Sequence, residues 1–154
     1  MQRYDLELFA DYHQFYLQDE QAVGDLSDAW SEEASIRMLA VAPGVIGIGT
    51  VRDMDVPVAI EILESEPQQD FEHFDYVLEC SLSVTSGKLV VAGCTDYFPE
   101  AKRIELPSGI YRVRASYADL NSLSPDAMEG NDSYRLQLWL APPVGVSILK
   151  RRAV

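Results

Sequence analysis

Apolar and polar residues alternate most clearly over residues 74–84, where Phe74, Tyr76, Leu78, Cys80, Leu82 and Val84 occupy every second position. Asp75, Glu79, Ser81 and Ser83 fall between them, with Val77 the one apolar exception. A period of two predicts a half-buried strand, because successive side chains point to opposite faces of a sheet. Thr85-Ser86-Gly87 reads as a turn and Leu89-Val90-Val91-Ala92 as the returning strand, so the pair predicts a central antiparallel hairpin.

The same alternation predicts strands over residues 3–9, 11–17 and 56–62, and over 45–52 with Ile46, Ile48 and Thr50 on one face. Residues 102–106 and 110–117 read as a second hairpin around Pro107-Ser108-Gly109, with Arg112 and Arg114 facing out. Over 133–140, Tyr134, Leu136, Leu138 and Leu140 face in, and Arg135, Gln137 and Trp139 face out. A helix is predicted over about residues 28–40. Ser27 is placed to cap it, Asp28, Glu32 and Glu33 suit the positive end of its dipole, and Trp30, Ala34, Met38 and Val41 make its apolar stripe. Arg37 follows Glu33 by four residues, the spacing of a helical ion pair, and Pro43-Gly44 ends the segment.

Gly47 and Gly49 share one face of their strand, which predicts a bulge or the close approach of another segment; no helix start follows them, so they are not a phosphate loop. Residues 18–24 read as a polar loop, and residues 119–132 as a loop longer than an ordinary hairpin connection, either functional or mobile. A short apolar piece at 144–149 precedes the basic Lys150-Arg151-Arg152. About nine strands and one short helix predict a mainly β fold, a single-domain antiparallel β-sandwich spanning residues 1–154.

Charge changes the picture. The chain carries a net charge of −13. Residues 1–100 hold 20 acids and 4 bases, a net of −16, and residues 101–154 hold 5 acids and 8 bases, a net of +3. Such a field repels nucleic acid and membrane surfaces and attracts basic proteins. Arg112, Arg114, Arg135 and Trp139 are residue types that pair and stack with nucleic acid, but the overall charge argues against that use and leaves Trp139 for packing or self-association, with a homodimer open. No apolar run approaches the ~20 residues of a membrane span, and the N-terminus lacks the apolar core of a secretory signal, so the expected location is cytoplasmic.

Local chemistry is sparse. His13 and His73 have no companions at metal-ligand spacing, and neither a Gly-x-Ser-x-Gly elbow nor a catalytic cysteine pattern is present. No catalytic residue, metal or cofactor is expected. Neither plausible hairpin register opposes Cys80 to Cys94, so both thiols are expected to be free. The acids do form runs: Asp19, Glu20, Asp25, Asp28, Glu32 and Glu33, then Glu61, Glu64, Glu66, Asp70, Asp75 and Glu79. These twelve are the candidate partner-binding residues, on the reading that a negative surface imitates the phosphates of DNA. The ordinary alternative is a solvated face that keeps the protein soluble.

Four stretches resemble the competence protein J family: Tyr12-His13-Gln14-Phe15, Asp28-Ala29-Trp30-Ser31-Glu32-Glu33-Ala34, the strand from Gly44 to Arg52, and Arg103-Ile104-Glu105-Leu106-Pro107-Ser108-Gly109-Ile110-Tyr111. Members of that family are small acidic inhibitors of the DNA-entry nuclease of naturally transformable bacteria. The resemblance implies a non-enzymatic protein with an acidic face and a basic protein partner, a nuclease, with a toxin-immunity role as a variant of the same idea. The other reading is a small-molecule or carbohydrate-binding β-sandwich module, suggested by Tyr12, Tyr16 and Trp139 with the long loop.

Overall fold

The computed structural model describes residues 1–22 and 25–152; Val23 and Gly24 of the predicted polar loop lie outside the described residues. Among the described residues eleven strands are present: β1 (Gln2–Phe9), β2 (Gln14–Asp19), β3 (Leu39–Ala42), β4 (Val45–Gly49), β5 (Asp55–Ile62), β6 (Tyr76–Val84), β7 (Lys88–Gly93), β8 (Lys102–Glu105), β9 (Gly109–Ala118), β10 (Ser133–Leu140) and β11 (Ser147–Lys150), with one short helix, α1 (Glu32–Arg37). They form a six-stranded sheet in the order β1-β5-β10-β9-β6-β11 and a five-stranded sheet in the order β3-β4-β2-β7-β8. Every pairing is antiparallel except β5 with β10, which is parallel, so the larger sheet is mixed.

The inward residues of the two sheets meet in one core: Phe15, Leu17, Ile46, Ile48, Leu89 and Val91 from the smaller, Ile60, Leu78, Leu82, Val113, Leu136 and Leu138 from the larger. Alternation placed nearly all of them correctly, because a side chain's face is fixed by parity alone. At one end the core is aromatic, with Tyr117 packed against Tyr76 at 5.3 Å and Tyr134 at 5.6 Å between ring centres.

Neither predicted hairpin forms. β6 pairs with β9 and β11 in the larger sheet, while β7 pairs with β2 and β8 in the smaller. β8 and β9 are likewise split between the sheets. Each turn is a corner that carries the chain across the core. A short turn between two alternating runs specifies a reversal of direction, which suits hydrogen-bonded neighbours and strands stacked face to face equally well. The register argument for Cys80 and Cys94 therefore falls away, though both thiols are free.

The helix is shorter than its pattern. Ser31, not Ser27, is the N-cap, its hydroxyl accepting from the Ala34 N–H at 3.1 Å. Met38 takes the left-handed conformation (φ 61°) and ends the helix, so residues 39–42 become β3. Arg37 makes no pair with Glu33; its Nε donates to the Leu39 carbonyl at 2.7 Å. The apolar piece at 144–149 contributes β11, which edges the larger sheet. Residues 11–13 form a single 3-10 turn with positive φ at Tyr12 and His13, which delays β2 to Gln14.

Two straps cover the outer faces. Residues 25–38 cross the smaller sheet. A Cβ on Gly47 would lie 2.7 Å from Leu26 and 2.8 Å from Trp30, and one on Gly49 3.0 Å from Met38, so the paired glycines are where the strap touches the sheet. Trp30 Nε1 also donates to Gln14 Oε1 at 2.9 Å. Residues 63–75 cross the larger sheet. There the Arg114 guanidinium lies between the Phe71 and Trp139 rings, and Phe74 stacks on Arg135.

Candidate acidic binding surface

The predicted carboxylates separate into those the fold uses and those it leaves in water. One row of the larger sheet runs Arg3, Glu61, Gln137, Arg114, Glu79 across five neighbouring strands. Arg3 donates to Glu61 at 2.6 Å, Gln137 to Glu61 at 2.9 Å and Arg114 to Glu79 at 2.8 Å. Glu61 and Glu79 are buried, so they are internal ion-pair partners and not part of a solvent-facing surface. Alternation correctly turned them outward from the core, but the row is covered, and sequence parity gives no sign of a covering strap.

Asp19 is also withdrawn. It falls on the inward face of β2 after Phe15 and Leu17 and is 4% exposed. Its carboxylate accepts from the N–H and hydroxyl of both Thr85 and Ser86, at 3.3 and 2.9 Å for Thr85 and 3.2 Å for the Ser86 N–H, fixing the corner between β6 and β7. Burial pushes its pKa up, but the hydrogen bonds from Ser86 and Thr85 outweigh it and hold the carboxyl below the usual aspartate value. Glu20 pairs with Arg103 at 3.0 Å and Asp70 with Arg135 at 2.7 Å; the Arg135 hydrogen bonds, opposed by burial, keep Asp70 low. Asp75 accepts from the Leu120 N–H at 2.8 Å and pins the start of the long 119–132 loop. Its other end is held by buried Asp132, which takes bonds from Arg52 and Tyr134 at 2.6 and 2.7 Å.

Six candidates remain exposed without an ion pair among the described residues: Asp25, Asp28, Glu32, Glu33, Glu64 and Glu66. They do not form one surface. Asp25, Asp28, Glu32 and Glu33 lie along the strap over the smaller sheet, whereas Glu64 and Glu66 belong to the strap over the larger one. Hydrogen bonds from the Ser27 hydroxyl and N–H hold the Asp25 carboxyl low.

The fold adds acids that the runs did not contain. Asp11, Asp53 and Asp96, from three separate turns, converge around half-buried Cys94, whose thiol is raised by burial and then by those three charges. None is in an ion pair with another described residue. Among the described residues, no three His, Cys, Asp or Glu side chains are grouped to hold a metal ion. This end of the sandwich adjoins the C-terminal turn of α1: Thr50 N–H donates to the His13 carbonyl and Gly49 N–H to the Met38 carbonyl, both at 2.9 Å. Tyr12 and Ile36 stand out here, 69% and 76% exposed. The only sequence signal for this set was Tyr12 beside Asp11; the rest is assembled by topology.

The bases are largely engaged. Arg3, Arg52, Arg103, Arg112, Arg114 and Arg135 all lie within ion-pair distance of carboxylates, Lys150 donates to the Phe71 carbonyl and Arg152 to Asn121. The surplus negative charge therefore faces solvent. Trp139 is 3% exposed under the 63–75 strap, and the three outward arginines are part-buried beside it, so they offer no open stacking platform. His13 Nδ1 lies 3.3 Å from the Thr50 carbonyl, and exposed His73 has only its neighbour Glu72 at 3.5 Å.

No protein-family model matches the chain, and no curated protein sequence matches it. Solved structures do. The chain is similar to ComJ from Bacillus subtilis, described as an inhibitor of the DNA-degrading activity of NucA, with a TM-score of 0.64 and 19% identity over 92% of this chain and 96% of that one. It is also similar to the protein described as crocagin biosynthetic gene J, with a TM-score of 0.60 and 14% identity over 92% of this chain and all of the other. The resemblance carried by those four stretches thus holds as a likeness of fold across nearly the whole chain, and the architecture is similar to that of ComJ.

Proposed function

We propose that this chain is a non-enzymatic, cytoplasmic inhibitor that binds a nuclease by presenting exposed carboxylates to its basic DNA-binding cleft. The observation that carries the reading is the sorting of charge. Nearly all arginines are engaged within the fold, while Asp25, Asp28, Glu32, Glu33, Asp11, Asp53 and Asp96 stay unpaired on one side and end of the sandwich. The ComJ-like fold supports the same reading, since ComJ acts on a DNA-degrading protein. Exposed Tyr12 and Ile36 would supply the apolar anchor that charge alone does not, as aromatic and aliphatic side chains carry much of the energy of protein interfaces. Two free cysteines suit a reducing compartment.

Electrostatic attraction of this kind speeds association and is weakened by salt. The test adds the purified chain to a DNA-degrading nuclease from the same cells and follows cleavage of plasmid DNA. Stoichiometric inhibition that weakens as salt rises is expected; a nuclease that cleaves undisturbed at low salt, with no complex on gel filtration, overturns the proposal. The small-molecule or carbohydrate reading loses the aromatic set that suggested it, because Tyr12, Tyr16 and Trp139 lie at one end, on the outer face of the smaller sheet, and under the strap of the larger sheet respectively.

A further inference from the structure

The two sheets leave four strands at their edges, β1 and β11 in the larger and β3 and β8 in the smaller. An edge presents a row of unpaired N–H and carbonyl groups, and proteins shield such rows with short strands, bulges, lysine or proline. β3 and β8 are four residues long, β8 begins on Lys102, and the register of β11 shifts between Ile148 and Lys150. β1 has none of these devices: it runs for eight residues in unbroken register with β5, without proline or lysine. The Ala10 N–H donates to the Met54 carbonyl at 2.9 Å, continuing the register that pairs Phe9 with Asp55. Hydrogen-bonded pairs alternate along an antiparallel ladder, so Leu8, Leu6 and Tyr4 bond to β5, and Glu7, Asp5 and Arg3 turn their N–H and carbonyl groups to the open side. The Phe9 carbonyl belongs to the same outward set and is pressed against Gly93 of β7, which closes the far end. Among the described residues, nothing bonds the outward backbone groups of Arg3, Asp5 and Glu7.

We infer that β1 is a self-association edge, pairing antiparallel with β1 of a second copy of this chain about a two-fold axis at Tyr4. Outward groups meet outward groups, so Arg3, Asp5 and Glu7 face one another across the axis, and charge selects the register. With the axis at Tyr4, Arg3 of each copy lies opposite Asp5 of the other, and each such pair exchanges both of its main-chain hydrogen bonds. An axis at Arg3 or at Asp5 would set that residue against itself, and an axis at Leu6 would set Asp5 against Glu7. Arg3 and Asp5 are exposed and already 3.1 Å apart within one chain, so the two pairs close a ring of alternating charge. That self-complementary order favours a second copy over a foreign strand. The opening beside this half of β1 is lined by Lys88, Lys102 and Arg103 as well as Glu20 and Glu105, so a second acidic chain does not meet one sign of charge there. Towards Glu7 the lining adds Asp96 and Glu100, which keeps the axis near Tyr4. The inference does not rest on the nuclease reading, which uses the 25–38 strap and the Asp11 end.

The test follows the mass of the full chain by light scattering as its concentration is raised. A reversible rise from 17.2 kDa towards twice that value is expected. Asp5→Pro removes an outward N–H and the charge opposite Arg3, on the side of an edge strand where proline is tolerated, and should hold the chain at the monomer mass. Asp5→Lys keeps the backbone donor but sets like charges opposite each other, and should weaken the dimer about tenfold or more. Register is read by oxidation, with the native chain and its two free thiols as the background. Tyr4→Cys stands on the axis and should give a disulfide-linked dimer, whereas Gln2→Cys, which faces Leu6 of the other copy, should cross-link only when mixed with Leu6→Cys. A monomer mass at every concentration, native-like dimerisation of Asp5→Lys or of a folded Asp5→Pro, or a dimer that Tyr4→Cys does not cross-link would each overturn the inference.

Discussion

At Asp19 the period of two in β2 carries a carboxylate into the interior, and the corner at Thr85-Ser86 supplies four donors to receive it. Replacing it by alanine leaves those donors without their acceptor in a buried place, and should cost about 2–3 kcal/mol of stability, read from urea unfolding. Its folded pKa is depressed, so its contribution is present at neutral pH and is lost as pH falls from about 4 through the folded value. Asp19→Asn should accordingly flatten the acid limb of the stability profile. The thiols offer a second check at this scale. Burial pushes Cys80 up to about 12, so it should react with a thiol reagent only on unfolding, while half-buried Cys94 reacts slowly in the native protein. Changing Asp11, Asp53 and Asp96 to asparagine should speed the Cys94 reaction, because their charges oppose its thiolate.

The elements show where the sequence spoke and where it fell silent. Parity told the inward face of β6, β9 and β10 correctly, and the Gly47-Gly49 pair foretold a close approach to the backbone, met by Leu26, Trp30 and Met38. Gly47→Val, a favourable strand residue by propensity, should therefore lose about 1–3 kcal/mol and shift Trp30 fluorescence to the red as the strap lifts. Two elements were illegible for a physical reason. β3 lay inside an apolar stripe that suited a helix, and only the left-handed Met38 separates them. The corners after β6 and β8 looked like hairpins because local turn chemistry is blind to which sheet receives the next strand. The outer row on the larger sheet was read as exposed because nothing local marks the 63–75 strap. Glu79→Ala should cost about 3 kcal/mol or more, since it strands the Arg114 charge beneath Phe71.

Across the whole molecule, the arrangement separates structural charge from available charge. The back-third arginines neutralise Glu20, Asp70 and Glu79, and Arg3 takes Glu61, which removes these from the predicted partner surface. What stays in water is narrower than the runs in the sequence suggested, and it is extended by Asp11, Asp53 and Asp96, which only the fold brings together. The most direct test of the account is the affinity for the proposed nuclease partner, measured for the native chain and for D25N/D28N/E32Q/E33Q at low and high salt. The account predicts an affinity about tenfold or more weaker in the variant at low salt, lost through slower association, with the two proteins converging at high salt. Equal affinity of the two at low salt would contradict it.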